Sequence, residues 1–99
     1  MNKNKENLIY LAGFVDGEGC ISEIHRWHRP LSSKRFEIRI SNTDLGVLEW
    51  IKQEYGGYLY KMSDAIGNHK VCYQWYISDK RAKELYKLLK PYLKIKNQL

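Results

Sequence analysis

Two acidic residues, Asp16 and Glu18, lie at the end of a segment that favours a helix. The helix is predicted to begin near Asn4, a good N-cap residue, with Glu6 in its first turn. An acid at a helix C-terminus faces the negative end of the helix dipole, so neither Asp16 nor Glu18 is expected to stabilise the helix. A cation bound at the helix exit would account for both acids. The alternative is that glycines simply end the helix and that Glu18 is a solvated turn residue.

Glycines occur at regular positions in the same segment. Gly13 and Gly17 are four residues apart, so a helix places them on one side and leaves bare backbone there. Each glycine destabilises a helix by about 1 kcal/mol relative to alanine, and a close approach by another helix would offset that cost. The residues at helical spacing that give the apolar face of this helix are Leu8, Leu11, Ala12 and Val15.

The stretch from Leu11 to Gly19 reads LAGFVDGEG and resembles the signature motif of the LAGLIDADG homing endonucleases. Phe14, Val15 and Glu18 look like ordinary variants at their positions. In that family the motif helices of two subunits, or of two repeats, pack side by side. Because the sequence contains one motif, the resemblance implies a homodimer with this motif helix at its interface. The interface residues it implies are Leu11, Ala12, Gly13, Asp16 and Gly17.

The resemblance also implies a metal site. In the family the last acid of the motif binds a divalent metal, so Glu18 is expected to be the catalytic metal ligand. The carbonyl of Gly17 is a second expected oxygen donor. Carboxylate oxygens suit Mg²⁺, and Mn²⁺ is the alternative ion, with no small-molecule cofactor implied. Asp16 is expected to have a structural role.

Two further catalytic positions follow from the resemblance by position in the chain. Asn42 matches a polar residue that could order the attacking water, or it caps the helix that follows, and the two roles are compatible. Lys96 matches a basic residue that could stabilise the developing charge. The alternatives are that Lys94 has this role, or that a frayed basic terminus contacts phosphate non-specifically.

The rest of the sequence alternates between strands and helices. We predict strands over 20–28, 36–41, 58–62 and 71–77, and helices over about 45–55 and 79–90. Ile21 and Ile24 are three residues apart, which predicts a β-bulge near Ser22 and Glu23 in the first strand.

The element order predicts an α+β fold, a four-stranded antiparallel sheet with all helices on one face. The resemblance implies the αββαββα half of the LAGLIDADG fold, with a saddle-shaped sheet. Residues 1–99 are expected to form one domain, since no linker-like segment occurs.

The composition favours a nucleic-acid partner. The 17 Lys and Arg residues exceed the 11 acids, giving a net charge of +6 and a pI of about 9.3. No apolar run is long enough to span a bilayer, and the polar N-terminus does not resemble a signal peptide. We therefore expect an intracellular protein, in the cytoplasm, nucleoid or an organelle, that is not secreted.

The polar face of the sheet is expected to contact the major groove of DNA. Glu37 and Arg39 are the best-defined candidates, because the alternation of apolar and polar residues in their strand is unbroken. Arg can pair with guanine, and Glu can accept from cytosine. For each candidate the alternative is a solvated strand face. The remaining candidates are Arg26, His28, Arg35, Tyr60, Gln74 and Tyr76.

Three functional hypotheses remain open. The first is a homodimeric, Mg²⁺-dependent endonuclease that cuts both strands of a long, partly palindromic site. The second is a DNA- or RNA-binding module of the same fold that acts in splicing or transcription without cleavage. The third is a half-protein that needs a different partner chain. Glu18 favours the endonuclease, since a pure binding module would not need an acid facing phosphate.

Overall fold

The computed structural model describes residues 1–25, 34–63, 67 and 70–98. The elements are α1 (Lys5–Glu18), β1 (Gly19–His25), β2 (Lys34–Asn42), α2 (Leu45–Tyr55), β3 (Tyr58–Ser63), β4 (Cys72–Ser78), α3 (Asp79–Leu89) and a short 3₁₀ helix (Lys90–Tyr92). The four strands form one antiparallel sheet, as predicted, and their order in it is β1-β2-β4-β3.

The core lies between one face of the sheet and the helices. The strands contribute Phe36, Ile38 and Ile40 from β2 and Trp75 and Ile77 from β4, all at most 6% exposed. The alternating residues of these strands lie on the opposite face, which carries the polar side chains. No helix in the described ranges is long and apolar enough to cross a membrane.

Helix α1 begins as predicted. The side chain of Asn4 accepts a hydrogen bond from the backbone N–H of Asn7 at 3.0 Å, which satisfies one of the free donors of the first turn. The four apolar residues predicted to face the core, Leu8, Leu11, Ala12 and Val15, are all buried. This side of α1 therefore fixes the helix against the rest of the chain.

The junction between α1 and β1 contains no loop residue, because α1 ends at Glu18 and β1 begins at Gly19. A Cβ on Gly19 would lie 2.9 Å from the carbonyl oxygen of Val15 and 3.2 Å from that of Arg39. Only glycine fits there without moving the backbone. A Cβ on Gly13 or Gly17 would meet no atom of the described residues within 4 Å, so the packing within this part of the chain does not require these two glycines.

The first strand differs from its prediction. The pairing of β1 with β2 is continuous from Gly19 opposite Ile40 to His25 opposite Lys34, so the predicted bulge near Ser22 and Glu23 is wrong. A bulge leaves a residue unpaired, whereas the regular ladder satisfies the backbone groups along the strand. The irregularity lies instead in β3, between Lys61 and Ser63. The last predicted residues of the strand, 26–28, fall outside the described residues.

The second helix is held at both ends. Its N-cap is Asp44, whose Oδ1 accepts from the backbone N–H of Val47 at 3.2 Å. At its C-terminal end Trp75, fully buried, donates from Nε1 to the carbonyl of Gly56 at 2.8 Å. These contacts connect α2 to β4.

Candidate active site and nucleic-acid interface

The C-terminal end of α1 carries the expected metal ligand. Glu18 is the last residue of the helix and is exposed, as is Gly17 beside it. Among the residues that the structure describes, none forms a hydrogen bond or an ion pair with the Glu18 carboxylate. A carboxylate at the negative end of a helix is electrostatically unfavourable, so Glu18 is available to a cation.

Asp16 has a different environment from Glu18. Its carboxylate accepts hydrogen bonds from three consecutive backbone N–H groups, those of Lys94 at 2.6 Å, Ile95 at 3.2 Å and Lys96 at 3.0 Å. Although partial desolvation raises the pKa of Asp16, these three hydrogen bonds and the charge of Lys96 together lower it. Asp16 thus connects the segment after the 3₁₀ helix to the end of α1.

The side chain of Lys96 also contacts the C-terminal end of α1. Its ammonium group donates to the carbonyl oxygens of Val15 at 3.0 Å and Asp16 at 2.6 Å, near the C-terminus of α1. A cation there interacts favourably with the helix dipole. The chain therefore supplies a cation of its own beside Asp16, which fits the structural role expected for this residue. Asp16 and Lys96 are 80 residues apart in the sequence, so local residue spacing could not predict their contact.

Asn42 lies at the same end of the sheet as Glu18. Gly19 pairs with Ile40 at the start of β1, and β2 continues past that pair to Asn42. The Oδ1 of Asn42 accepts from the backbone N–H of Asp44 at 2.8 Å, so Asn42 supports the turn before α2. The expected role in ordering water stays a prediction.

The outer face of the sheet carries a compact charged cluster on β2. Glu37 is only 7% exposed, and its Oε1 lies 3.0 Å from Nε of Arg39. Its Oε2 lies 3.3 Å from Nε of Arg35, a longer contact without the alignment of a hydrogen bond. That Glu37 accepts from cytosine stays a prediction, and both of its carboxylate oxygens already face arginines.

A second polar cluster links β2, β4 and β3. Gln74 is 8% exposed, donates to the hydroxyl of Tyr60 at 2.8 Å and accepts from the hydroxyl of Ser41 at 3.2 Å. Tyr76 stacks on Tyr58 with ring centroids 5.2 Å apart. Gln74 is therefore placed to orient its neighbours, while Tyr58 and Tyr60 remain exposed on the surface. Arg26 and His28 lie outside the described residues.

Residues 11–98 match the family model described as LAGLIDADG endonuclease. The chain belongs to the LAGLIDADG endonuclease family. The chain is also 35% identical over 102 residues to the DNA endonuclease I-CreI of Chlamydomonas reinhardtii, an alignment that covers 96% of this chain and 58% of that protein.

Solved structures of LAGLIDADG proteins share the fold. An archaeal intron-encoded homing endonuclease, I-Vdi141I in complex with DNA, superposes with a TM-score of 0.72 at 20% identity over 94% of this chain and 61% of that one. I-SmaMI bound to uncleaved DNA with calcium ions gives a TM-score of 0.70 at 20% identity over 95% of this chain and 33% of that one. The predicted fold is confirmed, and the chain spans about three fifths of I-CreI and of I-Vdi141I.

The LAGLIDADG motif residues divide into two groups by burial. Leu11 and Ala12 are fully buried in the core of their own chain and offer no surface to a partner. Gly13 and Gly17, which we call the glycine face of α1, are both exposed. The carboxylate of Asp16 is already bound by the C-terminal segment. A dimer interface on this helix is thus restricted to the glycine face and its exposed neighbours.

Replacing Asp16 with Asn is expected to loosen residues 94–96 while leaving the sheet intact. The variant loses the negative charge, so the three backbone amide protons should exchange several-fold to about tenfold faster with solvent. A lowered pKa in the folded state stabilises the protein above the ordinary pKa of aspartate, and this contribution is lost as the pH falls through the lowered value. The gap in melting temperature between wild type and Asp16→Asn should therefore be widest near neutral pH and close in acid.

Amide exchange and melting curves across pH provide the measurement. Glu49→Gln is the matched control, because it removes an exposed carboxylate from α2 without touching this segment. Unchanged exchange at Lys94, Ile95 and Lys96 in Asp16→Asn would contradict the role given to this carboxylate.

Proposed function

We propose that this chain is a homodimeric DNA endonuclease that depends on a divalent metal and cuts both strands of a long, partly palindromic site. The observation that carries the proposal is the exposed carboxylate of Glu18, which has no partner among the described residues and lies one residue beyond the glycine face of α1. Neither the Glu18 carboxylate nor the exposed glycines stabilise the described part of one chain. Both are explained if a second copy packs against α1.

The glycine face is suited to a symmetric contact. Beside it on α1 are two exposed apolar residues, Ile9 and Tyr10, which are 47% and 54% accessible. A two-fold axis places the same residues of both copies against each other, so bare backbone at Gly13 and Gly17 would meet bare backbone. This packing would bring the two Glu18 carboxylates together near the axis.

The donor set fits a hard divalent cation. The groups that would hold it are the Glu18 carboxylate and the carbonyl of Gly17, both oxygen donors of the kind that Mg²⁺ and Mn²⁺ accept. Within the described residues of one chain no group of three or more His, Cys, Asp or Glu could hold a metal, so two copies and DNA phosphates would complete the coordination. When bound, the metal supplies a Lewis acid and charge stabilisation for phosphodiester hydrolysis.

The remaining residues position the reacting groups. Lys96 and Asp16 hold the end of α1 rigid, and the Lys96 ammonium places a positive charge two residues before Glu18 along the helix. Asn42 is proposed to orient the attacking water from the neighbouring strand end. The net charge of +6 and the polar sheet face suit the phosphate backbone of DNA, and the protein is proposed to act inside the cell, where it meets DNA.

A non-cleaving DNA- or RNA-binding module is the second candidate. One observation favours it: the polar clusters on β2, β3 and β4 do not include Glu18, so the sheet face could bind nucleic acid without the proposed metal site. A heterodimer with a different LAGLIDADG chain would use the same α1 surface.

One experiment separates these candidates. Sedimentation velocity at several concentrations gives the assembly state, and incubation with a randomised duplex DNA pool, with and without Mg²⁺, gives binding and cleavage. The endonuclease proposal expects a dimer and enriched cut sites in Mg²⁺ only. Enriched binding without cuts in Mg²⁺ or Mn²⁺ would support the binding module. A monomer that neither binds nor cuts would reject both.

A further inference from the structure

Glu37 places a negative charge at the centre of the sheet's outer face, where the bound DNA is expected. A carboxylate on a surface that faces DNA phosphates is repelled by them, yet Glu37 lies in the middle strand pair of that face. Its direct cross-strand neighbours are Ser22 on β1 and Ser78 on β4. These small side chains leave space beside Glu37, and two arginines occupy it.

Arg35 and Arg39 flank Glu37 symmetrically along β2. Each is two residues away on the same face, or about 6.7 Å along the strand, which is close to twice the spacing of stacked base pairs. Both arginines direct Nε toward Glu37, one to each carboxylate oxygen. Their side chains are 36% and 39% exposed, whereas that of Glu37 is 10% exposed. The cluster therefore has a net positive charge, with its acid covered and its two bases accessible.

The Nε contacts have a consequence for recognition. Nε of Arg39 lies 3.0 Å from Glu37, and Nε of Arg35 makes a longer ion-pair contact of 3.3 Å that lacks the alignment of a hydrogen bond. In both cases the terminal nitrogens, Nη1 and Nη2, are left for a second partner. These two donors can bond the O6 and N7 acceptors of one guanine side by side. A side chain that is already oriented loses less conformational freedom on binding than a free arginine.

We infer that Arg35 and Arg39 each read one guanine in the major groove and that Glu37 is the positioning residue that orients both guanidinium groups. The inference rests on the proposed function, namely that duplex DNA binds this face of the sheet. It reassigns Glu37 from a direct reader of cytosine to a support for two readers. Loss of Glu37 should then relax two base positions in each half-site together.

Site selection from a randomised duplex pool tests this, with Mg²⁺ replaced by Ca²⁺ so that binding is scored alone. Arg35→Lys and Arg39→Lys should each lose the preference at one guanine, by about 5- to 150-fold. Glu37→Gln should weaken the preference at both of those positions and leave the others unchanged. The matched control is Glu23→Gln, which removes the same charge from the neighbouring strand at a position paired with buried Phe36.

The outcomes are distinguishable. If the wild type enriches a site and Glu37→Gln keeps both guanine preferences, the inference fails while DNA recognition stands. Loss at one cytosine position that neither lysine variant affects would identify Glu37 as a direct reader and also overturn it. If the wild type enriches no site, both the inference and the proposed recognition fail. Should Glu37→Gln not fold by circular dichroism, the lysine variants decide, and relaxation at no guanine overturns the assignment.

Discussion

Glu18→Gln is expected to abolish cleavage while DNA binding survives. Glutamine keeps the size and the hydrogen-bonding capacity of the side chain but removes the charge that would hold the metal. Charge stabilisation by a bound metal is worth several kcal/mol, so cleavage should slow by about 10³-fold or more. Affinity should be equal or higher, because each subunit loses one negative charge close to phosphate. No interaction within the described part of the chain is lost, so stability should hardly change.

Cleavage rate, binding affinity in Ca²⁺ and melting temperature are the three measurements. Glu6→Gln is the control, since it removes an exposed carboxylate from the first turn of the same helix, far from the proposed site. A Glu18→Gln protein that cuts at the wild-type rate would show that another group holds the metal. Loss of binding together with cleavage would point instead to a role in docking the DNA.

Gly13→Leu is expected to separate the subunits without unfolding them. A Cβ at Gly13 would meet no atom of the described residues of its own chain within 4 Å. Leucine also favours a helix over glycine, by about 0.5–1 kcal/mol. At a helix contact made of bare backbone, however, two leucine side chains would hold the helices apart. We expect the dissociation constant of the dimer to rise by about 5- to 150-fold, because an overpacked contact costs about 1–3 kcal/mol.

Sedimentation equilibrium and circular dichroism follow association and folding separately. Gln53→Leu adds the same side chain to an exposed position on α2 and controls for a general effect of surface leucine. A wild-type protein that is monomeric at micromolar concentration and on DNA would rule out the homodimer. A Gly13→Leu protein that remains dimeric would place the contact on another surface.

The elements of this fold were largely predictable because their signals are local. The N-cap at Asn4, the alternation from Phe36 to Ile40 and the end of α2 at Gly56 each depend on residues close in sequence, and the structure agrees with all three. The predicted bulge in β1 was wrong because the prediction considered the spacing of the apolar residues without the partner strand. The continuous pairing of β1 with β2 keeps the strand regular.

The sequence indicated which residues are candidates for the site, but it could not predict the contacts that these residues make. The motif identified Glu18 and the glycines, yet the hydrogen bonds that Asp16 accepts from the backbone N–H groups of residues 94–96 depend on how the chain returns to α1. Alternation placed Glu37 on the polar face but could not show that Arg35 and Arg39 cover it. Sequence patterns give the direction of a side chain, whereas its exposure depends on its neighbours in three dimensions.

The direct junction of α1 and β1 has a mechanical consequence. Glu18 ends the helix, Gly19 begins the strand, and the tight contact of Gly19 with the backbone of Val15 and Arg39 leaves no hinge between them. In the proposed dimer, a change in the crossing angle of the two α1 helices would therefore rotate each sheet together with its helix. The separation of the two half-sites along the DNA would then be set by one helix contact rather than by the length of a linker.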